Sequence, residues 1–260
     1  VGELLLSDLS KETGSPVAIY RLPGVFGKWC KPNYNSVVAT FCHNIVAGIP
    51  LQVNDPGKML RLVYVDDVVD SFIAWMRSPT SGCTFQKVIP EYDVELGELA
   101  RLIGSFMNGR RTLEIDRVGA GLVRALYATY VSYLSPQQFF YDLPTYRDSR
   151  GVFVEMLKTR ESGQVSFFTA HPGVVRGGHY HHTKTEKFLV VMGRARFGFR
   201  NILTGEVCTV EASGESPRIV ETIPGWAHDI CNIGDGEMVV MLWANEVFDR
   251  DRPDTIAEKV

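Results

Sequence analysis

Two folds in tandem are predicted: a mixed α/β portion over residues 1–134 and an all-β sandwich or barrel over residues 135–260. Three observations predict this. Helix-period and strand-like apolar runs alternate up to about residue 130. Short strand-like runs with regular turn punctuation take over from about residue 150. Between them Ser135-Pro136 stops the last helical run.

The elements of the first portion follow in order. Val1, Leu4, Leu5 and Leu9 share one helical face, and Thr13-Gly14-Ser15-Pro16 ends that helix. No N-cap precedes Val1 and no initiator Met is present, so the expectation is a chain cut from a longer protein. Val17 to Arg21 reads as a strand and Pro23 to Gly27 as a turn. Residues 36–47 repeat at helical period through Val37, Val38, Phe41, Ile45 and Val46. Leu62 to Val65 is a short strand and Val68 to Met76 a helix. Val94 to Phe106 is a helix with Asp93 as its expected N-cap, and Leu122 to Tyr133 is the last helix of this portion.

The second portion carries apolar or alternating runs at Val152–Lys158, Gln164–Ala170, Glu186–Met192, Arg194–Asn201, Glu206–Glu211, Arg218–Ile223 and Met238–Asn245. Ser162-Gly163, Pro172-Gly173, Thr204-Gly205, Pro224-Gly225 and Gly234-Asp235-Gly236 separate them, which argues for a sandwich or barrel.

Composition removes several function classes. The net charge of −3 carries no long block of either sign, so nucleic-acid and anionic-membrane partners have no electrostatic support. No apolar run approaches the ~20 residues that span a bilayer, and the N-terminus is not a signal peptide. Cys30, Cys42, Cys83, Cys208 and Cys231 are scattered without a C-x-x-C pair, and the expectation is reduced thiols in the cytoplasm.

Only His43 lies in the first half; the other histidines fall between His171 and His228. The stretch from Gly173 to Gly193 places His179, His181 and Glu186 at fixed spacing. Alternate strand residues share a face, so His179 and His181 can converge on one point, with Glu186 joining from the next strand. His228, in Pro224-Gly225-Trp226-Ala227-His228, can supply a fourth ligand from another strand. Three imidazoles and a carboxylate suit Zn2+ or a similar divalent metal. The plainer alternative is a metal-free pocket in which these groups only hydrogen-bond a ligand. By alternation, His182 should point away.

This spacing resembles the first cupin motif, G-x5-H-x-H-x4-E-x6-G, and Gly225-x2-His228-x3-Asn232 resembles the second, with the proline one residue late at Pro224. Asp148-Ser149-Arg150-Gly151-Val152-Phe153-Val154-Glu155 is similar to the first strand of the dTDP-4-keto-sugar 3,5-epimerases. Arg176-Gly177-Gly178-His179 is similar to their strand whose histidine is the base. That resemblance implies Asp148, Arg150 and Arg176 as substrate-binding residues and His179 as a base, in conflict with its use as a ligand. His171 and Lys184 are the other acid/base candidates. For each arginine, a surface ion pair is the alternative.

The first half resembles the later part of the extended short-chain dehydrogenase/reductases. Arg21-Leu22-Pro23-Gly24-Val25-Phe26-Gly27 is similar to their R-x-x-N-V-F-G turn, with Gly24 in place of asparagine. Tyr64-Val65-Asp66-Asp67-Val68 matches their strand-to-helix element, where the acidic pair caps the helix. Asn35 is a candidate for the sugar pocket. The glycine-rich dinucleotide fingerprint and the Tyr-x-x-x-Lys pair are absent from residues 1–134. The resemblance implies the substrate-binding half of a Rossmann-type reductase followed by an all-β cupin (double-stranded β-helix, jelly-roll) domain. That order is similar to a family of capsular-polysaccharide enzymes that fuse a reductase to a cupin. It implies a UDP-linked keto-deoxy-amino sugar as substrate, C3 epimerisation in the cupin, C4 reduction with NADPH in the longer protein, and a homodimer. The alternative is a non-catalytic cupin that binds nucleotide-sugar.

Overall fold

The computed structural model describes residues 1–260. It divides into one unit of residues 1–108 and 116–140 and another of residues 109–115 and 141–260. The division thus falls at 140/141, six residues beyond the expected 134/135, and a short internal segment counts with the second unit.

The first unit is mixed α/β. Its elements are α1 (Gly2–Thr13), β1 (Val17–Tyr20), β2 (Gly24–Phe26), α2 (Val37–Val46), β3 (Met59–Tyr64), α3 (Val65–Arg77), β4 (Cys83–Gln86), β5 (Tyr92–Glu95), most of α4 (Leu96–Thr112) and α5 (Gly121–Val131). β1 pairs with β4 in parallel; β3 lies between parallel β2 and antiparallel β5. Phe26, Phe41, Leu99, Ile103, Leu126 and Tyr130 build its core, so β2, α2, α4 and α5 meet there. Ser36 caps α2, its hydroxyl accepting from the Ala39 N–H at 3.3 Å.

Three local expectations are corrected. The Pro23–Gly27 turn contains a strand, β2, because pairing with β3 satisfies its backbone. Asp93 is not an N-cap but part of β5, whose Tyr92 and Val94 pair with Leu62 and Leu60. Asp66 does not cap α3, whose N-cap is Tyr64; it lies in the first turn, where the helix dipole favours a carboxylate, and pairs with Lys28 at 2.5 Å. The leucines of α1 are exposed, and only Ser10 of that helix is buried.

The second unit is two packed sheets. It begins with β6 (Glu114–Ile115) and continues with β7 (Thr145–Asp148), β8 (Gly151–Thr159), β9 (Gly163–Ala170), β10 (Val175–Tyr180), β11 (Glu186–Met192), β12 (Arg194–Asn201), β13 (Val207–Ser213), β14 (Ile219–Glu221), β15 (Trp226–Asn232), β16 (Met238–Ala244) and β17 (Ile256–Ala257). One sheet runs β13-β12-β15-β10-β17; the other runs β14-β11-β16-β9-β8-β6, with β7 also on β8. Phe168, Phe188, Val240 and Leu242 of the larger sheet pack with Phe197, Phe199 and Ile230 of the smaller, at the alternate positions that strand period predicts. All five cysteines are free.

Gly163 opens β9 at φ +74, and a Cβ there would lie 1.7 Å from the Ala244 carbonyl oxygen. Backbone cannot retreat from a paired strand, and a side chain at this φ is strained. Gly163→Ala is therefore expected to destabilise the unit by more than about 3 kcal/mol, read as a lowered denaturation midpoint in urea.

Candidate metal centre

The site is built where β10, β11 and β15 meet. His179 on β10 is the register partner of His228 on β15, which sets two imidazoles side by side across the sheet. The register shifts between Gly177 and His179, a bulge that re-aims the end of the strand. Gly177 has φ +92 and its Cβ would come 2.9 Å from the His228 carbonyl oxygen, so glycine permits this close approach. β10 ends at Tyr180, and His181 lies one residue past it. The His181 carbonyl accepts from the Gly225 N–H at 2.8 Å, which ties it to the approach of β15. Glu186 is the first residue of β11; its N–H donates to Thr222 Oγ1 at 2.9 Å and its carbonyl accepts from the Thr222 N–H at 2.9 Å.

One potential ligand atom from each of His179, His181, Glu186 and His228 lies within 4.8 Å of every other. The imidazole centroids are 4.6–5.2 Å apart. His181, Glu186 and His228 are buried, while His179 is half-buried. Glu186 Oε2 lies 3.2 Å from His181 Nε2 and 3.4 Å from His228 Nε2. Lys184 Nζ lies 3.0 Å from Glu186 Oε1.

The donor set fits a divalent cation on two observations. His181 Nδ1 is bonded to the Asp254 carbonyl, and a carbonyl can only accept, so Nδ1 carries the proton. Nε2 is therefore the nitrogen turned to the Glu186 carboxylate, 3.2 Å away, and in the metal-binding tautomer it presents a lone pair there. A cation at this point would be held by both groups, with the Asp254 carbonyl fixing the ring from behind. Second, His228 Nε2 is buried without a hydrogen-bond partner, because its 3.4 Å approach to Glu186 is an ion-pair distance and not an aligned hydrogen bond.

The charges agree with that arrangement. Burial first, then the neighbouring His228 and His181, push the His179 imidazole down to about 4, so it is neutral and free of a proton at ordinary pH. Burial alone would raise the Glu186 carboxyl, but His181, His228 and the Lys184 ammonium outweigh it and hold it well below the usual carboxylate range. One anion and three imidazoles form a set of borderline softness that suits zinc and its first-row neighbours.

The other expected residues fall into separate places. Asp148, Arg150 and Arg176 gather as a second group. Arg150 donates to Asp148 Oδ2 through Nε at 3.0 Å and Nη2 at 2.5 Å, and its backbone N–H reaches Oδ1 at 2.8 Å, across the β7–β8 turn. The Arg150 guanidinium holds the Asp148 carboxyl down at about 2. Arg176 lies with its guanidinium carbon 5.1 Å from the centre of the Phe168 ring and donates from Nε to the Thr169 carbonyl at 3.0 Å. Burial, then the charge of Arg150, lowers it from the ordinary arginine value. His171 stands with this group, its N–H on the Arg150 carbonyl at 3.2 Å and its ring 3.9 Å from Glu237; it is not part of the imidazole cluster. Asn35 lines a polar cavity of about 630 Å³ in the α/β unit, with Asn33, Asn44, Gln52 and Asn54. His182 is exposed, as alternation predicted.

Sequence reasoning did not find Thr222 or Asp254. Each meets the site through contacts between residues 36 to 73 positions apart, and no local pattern marks either.

A two-sheet β unit with a buried His/Glu centre follows an α/β unit along the chain, and comparison with known proteins bears on that arrangement. Residues 146–256 match the family described as polysaccharide biosynthesis C-terminal domain, and residues 1–88 match the NAD dependent epimerase/dehydratase family. The chain is 59% identical over 255 residues to the Pseudomonas aeruginosa protein UDP-2-acetamido-2,6-beta-L-arabino-hexul-4-ose reductase, covering 97% of this chain and 68% of that protein. It superposes on the crystal structure of the capsular polysaccharide assembling protein CapF from Staphylococcus aureus with a TM-score of 0.93 at 42% identity, covering 100% of this chain and 70% of that one. The spore coat polysaccharide biosynthesis protein SpsL of Bacillus subtilis is 23% identical over 122 residues, covering 43% of this chain and 81% of that protein. The chain belongs to the CapF-type family of capsular polysaccharide proteins.

Proposed function

We propose that the β unit is a cupin whose His179, His181, Glu186 and His228 hold Zn2+ or a similar divalent ion. In this reading it epimerises C3 of a UDP-linked 2-acetamido-2,6-dideoxy-4-keto-hexose on the way to a surface polysaccharide. The observation that carries this is the convergence of three imidazoles and one carboxylate within 4.8 Å of one another, with buried His228 Nε2 left without a hydrogen-bond partner.

The Pseudomonas relative is named for a hexul-4-ose, a sugar with its ketone at C4. The C3 proton is alpha to that ketone, and it is acidic only when the developing oxyanion is stabilised. A bound divalent ion supplies Lewis-acid stabilisation to a carbonyl oxygen. The chain's own residues bind and orient. Arg176, fixed on Phe168, and Arg150, able to exchange Asp148 for a phosphate, offer bidentate forks to the diphosphate. His179 acts as a ligand and Lys184 supports the Glu186 carboxylate, so His171, beside the arginines and outside the ligand set, is the base that takes the C3 proton, and a solvent proton returns to the opposite face. Asn35 and the amides around it line a sugar or nucleotide pocket in the α/β unit. That unit belongs to a reductase which, in the longer protein, reduces the C4 ketone with NADPH; the whole acts as a cytoplasmic homodimer.

The test is incubation of the metal-loaded chain with the keto-sugar in D2O, read by mass spectrometry and NMR. One deuterium at C3 without NADPH oxidation is expected. A folded, metal-loaded sample that binds the sugar without exchange would mark a non-catalytic nucleotide-sugar binder instead.

A further inference from the structure

We infer that Asp254 is a positioning residue of the metal centre, holding the turn that joins ligands His181 and Glu186. The inference rests on the metal reading proposed above. The Asp254 carboxylate accepts from the His182 N–H at 2.9 Å, the Thr183 N–H at 2.7 Å, the Lys184 N–H at 2.8 Å and the Thr183 hydroxyl at 2.9 Å. Its own carbonyl accepts a hydrogen bond from His181 Nδ1–H. One residue therefore holds three of the four residues between the two ligands, the Thr185 N–H going to Asn245 Oδ1 instead, and its carbonyl leaves Nε2 of His181 facing Glu186.

The residue is itself anchored. Just after it, β17 pairs with β10, with Ala257 opposite His179 and Ile256 opposite Tyr180. The Glu258 N–H then donates to the Gly178 carbonyl at 2.9 Å. The same turn places Lys184, whose ammonium steadies the second carboxylate oxygen of Glu186. Loss of the Asp254 carboxylate frees three N–H groups, lets the turn relax and spreads the positions of His181 and Glu186. Outer partners of this kind tune metal affinity by ~10–100-fold.

The test measures zinc affinity by chelator competition and the Co2+ absorption spectrum, on the folded chain. Asp254→Asn keeps the shape and one acceptor. It is expected to bind zinc ten- to hundred-fold more weakly and to alter the Co2+ bands, with the metal-free thermal midpoint close to wild type. Thr183→Val, which removes one hydroxyl contact, is expected to lose a few-fold. Wild-type affinity and an unchanged Co2+ spectrum in Asp254→Asn overturn the inference. If that variant does not fold, unchanged affinity in Thr183→Val overturns it. A wild-type chain that takes up neither ion sinks the metal reading itself, an outcome distinct from variants that bind as wild type does.

Discussion

His228→Ala is expected to weaken zinc binding by at least ~100-fold and to abolish C3 exchange with it, measured by chelator competition and by deuterium incorporation on the same samples. The expected size comes from the coordination chemistry. Structural four-ligand zinc sites bind with about 10–16 kcal/mol, so one ligand accounts for roughly 3 kcal/mol, or about a hundredfold. His228 is the member with least slack. It is 2% exposed, its ring is 4.6 Å from that of His179 and 5.2 Å from that of His181, and its Nε2 has no other partner. No other protein nitrogen replaces it, and water is a poor substitute in a buried pocket. If His228→Ala loses the metal yet keeps exchange, the ion is structural and the Lewis-acid part of the proposal falls.

Removal of the metal is expected to lower the thermal midpoint by on the order of 10 °C, followed by circular dichroism with and without a chelator. A ligand at a thousand times its Kd stabilises the state that binds it by about 4 kcal/mol, and each kcal/mol moves the midpoint by several degrees in a domain of this size. The structure gives the local cause. Without a cation, Glu186 is left with its contacts to His181 Nε2 and Lys184, and buried His228 Nε2 has no hydrogen bond. Zinc added back should restore the midpoint, and a midpoint indifferent to both treatments contradicts the account.

The convergence of His179, His181, Glu186 and His228 was legible because its signal is a spacing. A step of two residues, from His179 to His181, keeps the same face even though β10 stops at Tyr180 and a bulge precedes His179. The β portion was legible because turns punctuate it, and the seven expected runs became β8, β9, β11, β12, β13, β14 and β16. The small strands were not. β2 looked like a turn because proline and glycine dominate it, and β5 hid behind an aspartate that makes a good helix cap. β17 is two residues long and exists only by pairing with β10. Asp254 shows the limit most clearly. It contacts residues 70 to 73 positions away, through a carboxylate and a carbonyl that any aspartate possesses. Lys184 is an acid/base candidate by sequence, and its burial against Glu186, in the turn that Asp254 clamps, is seen only in the structure.

Metal analysis by native mass spectrometry of the purified chain tests the central claim most directly. One zinc or similar divalent ion per chain is predicted, retained on gel filtration and lost in His228→Ala. A folded wild-type chain that carries none, and takes up none from excess zinc at neutral pH, would contradict it.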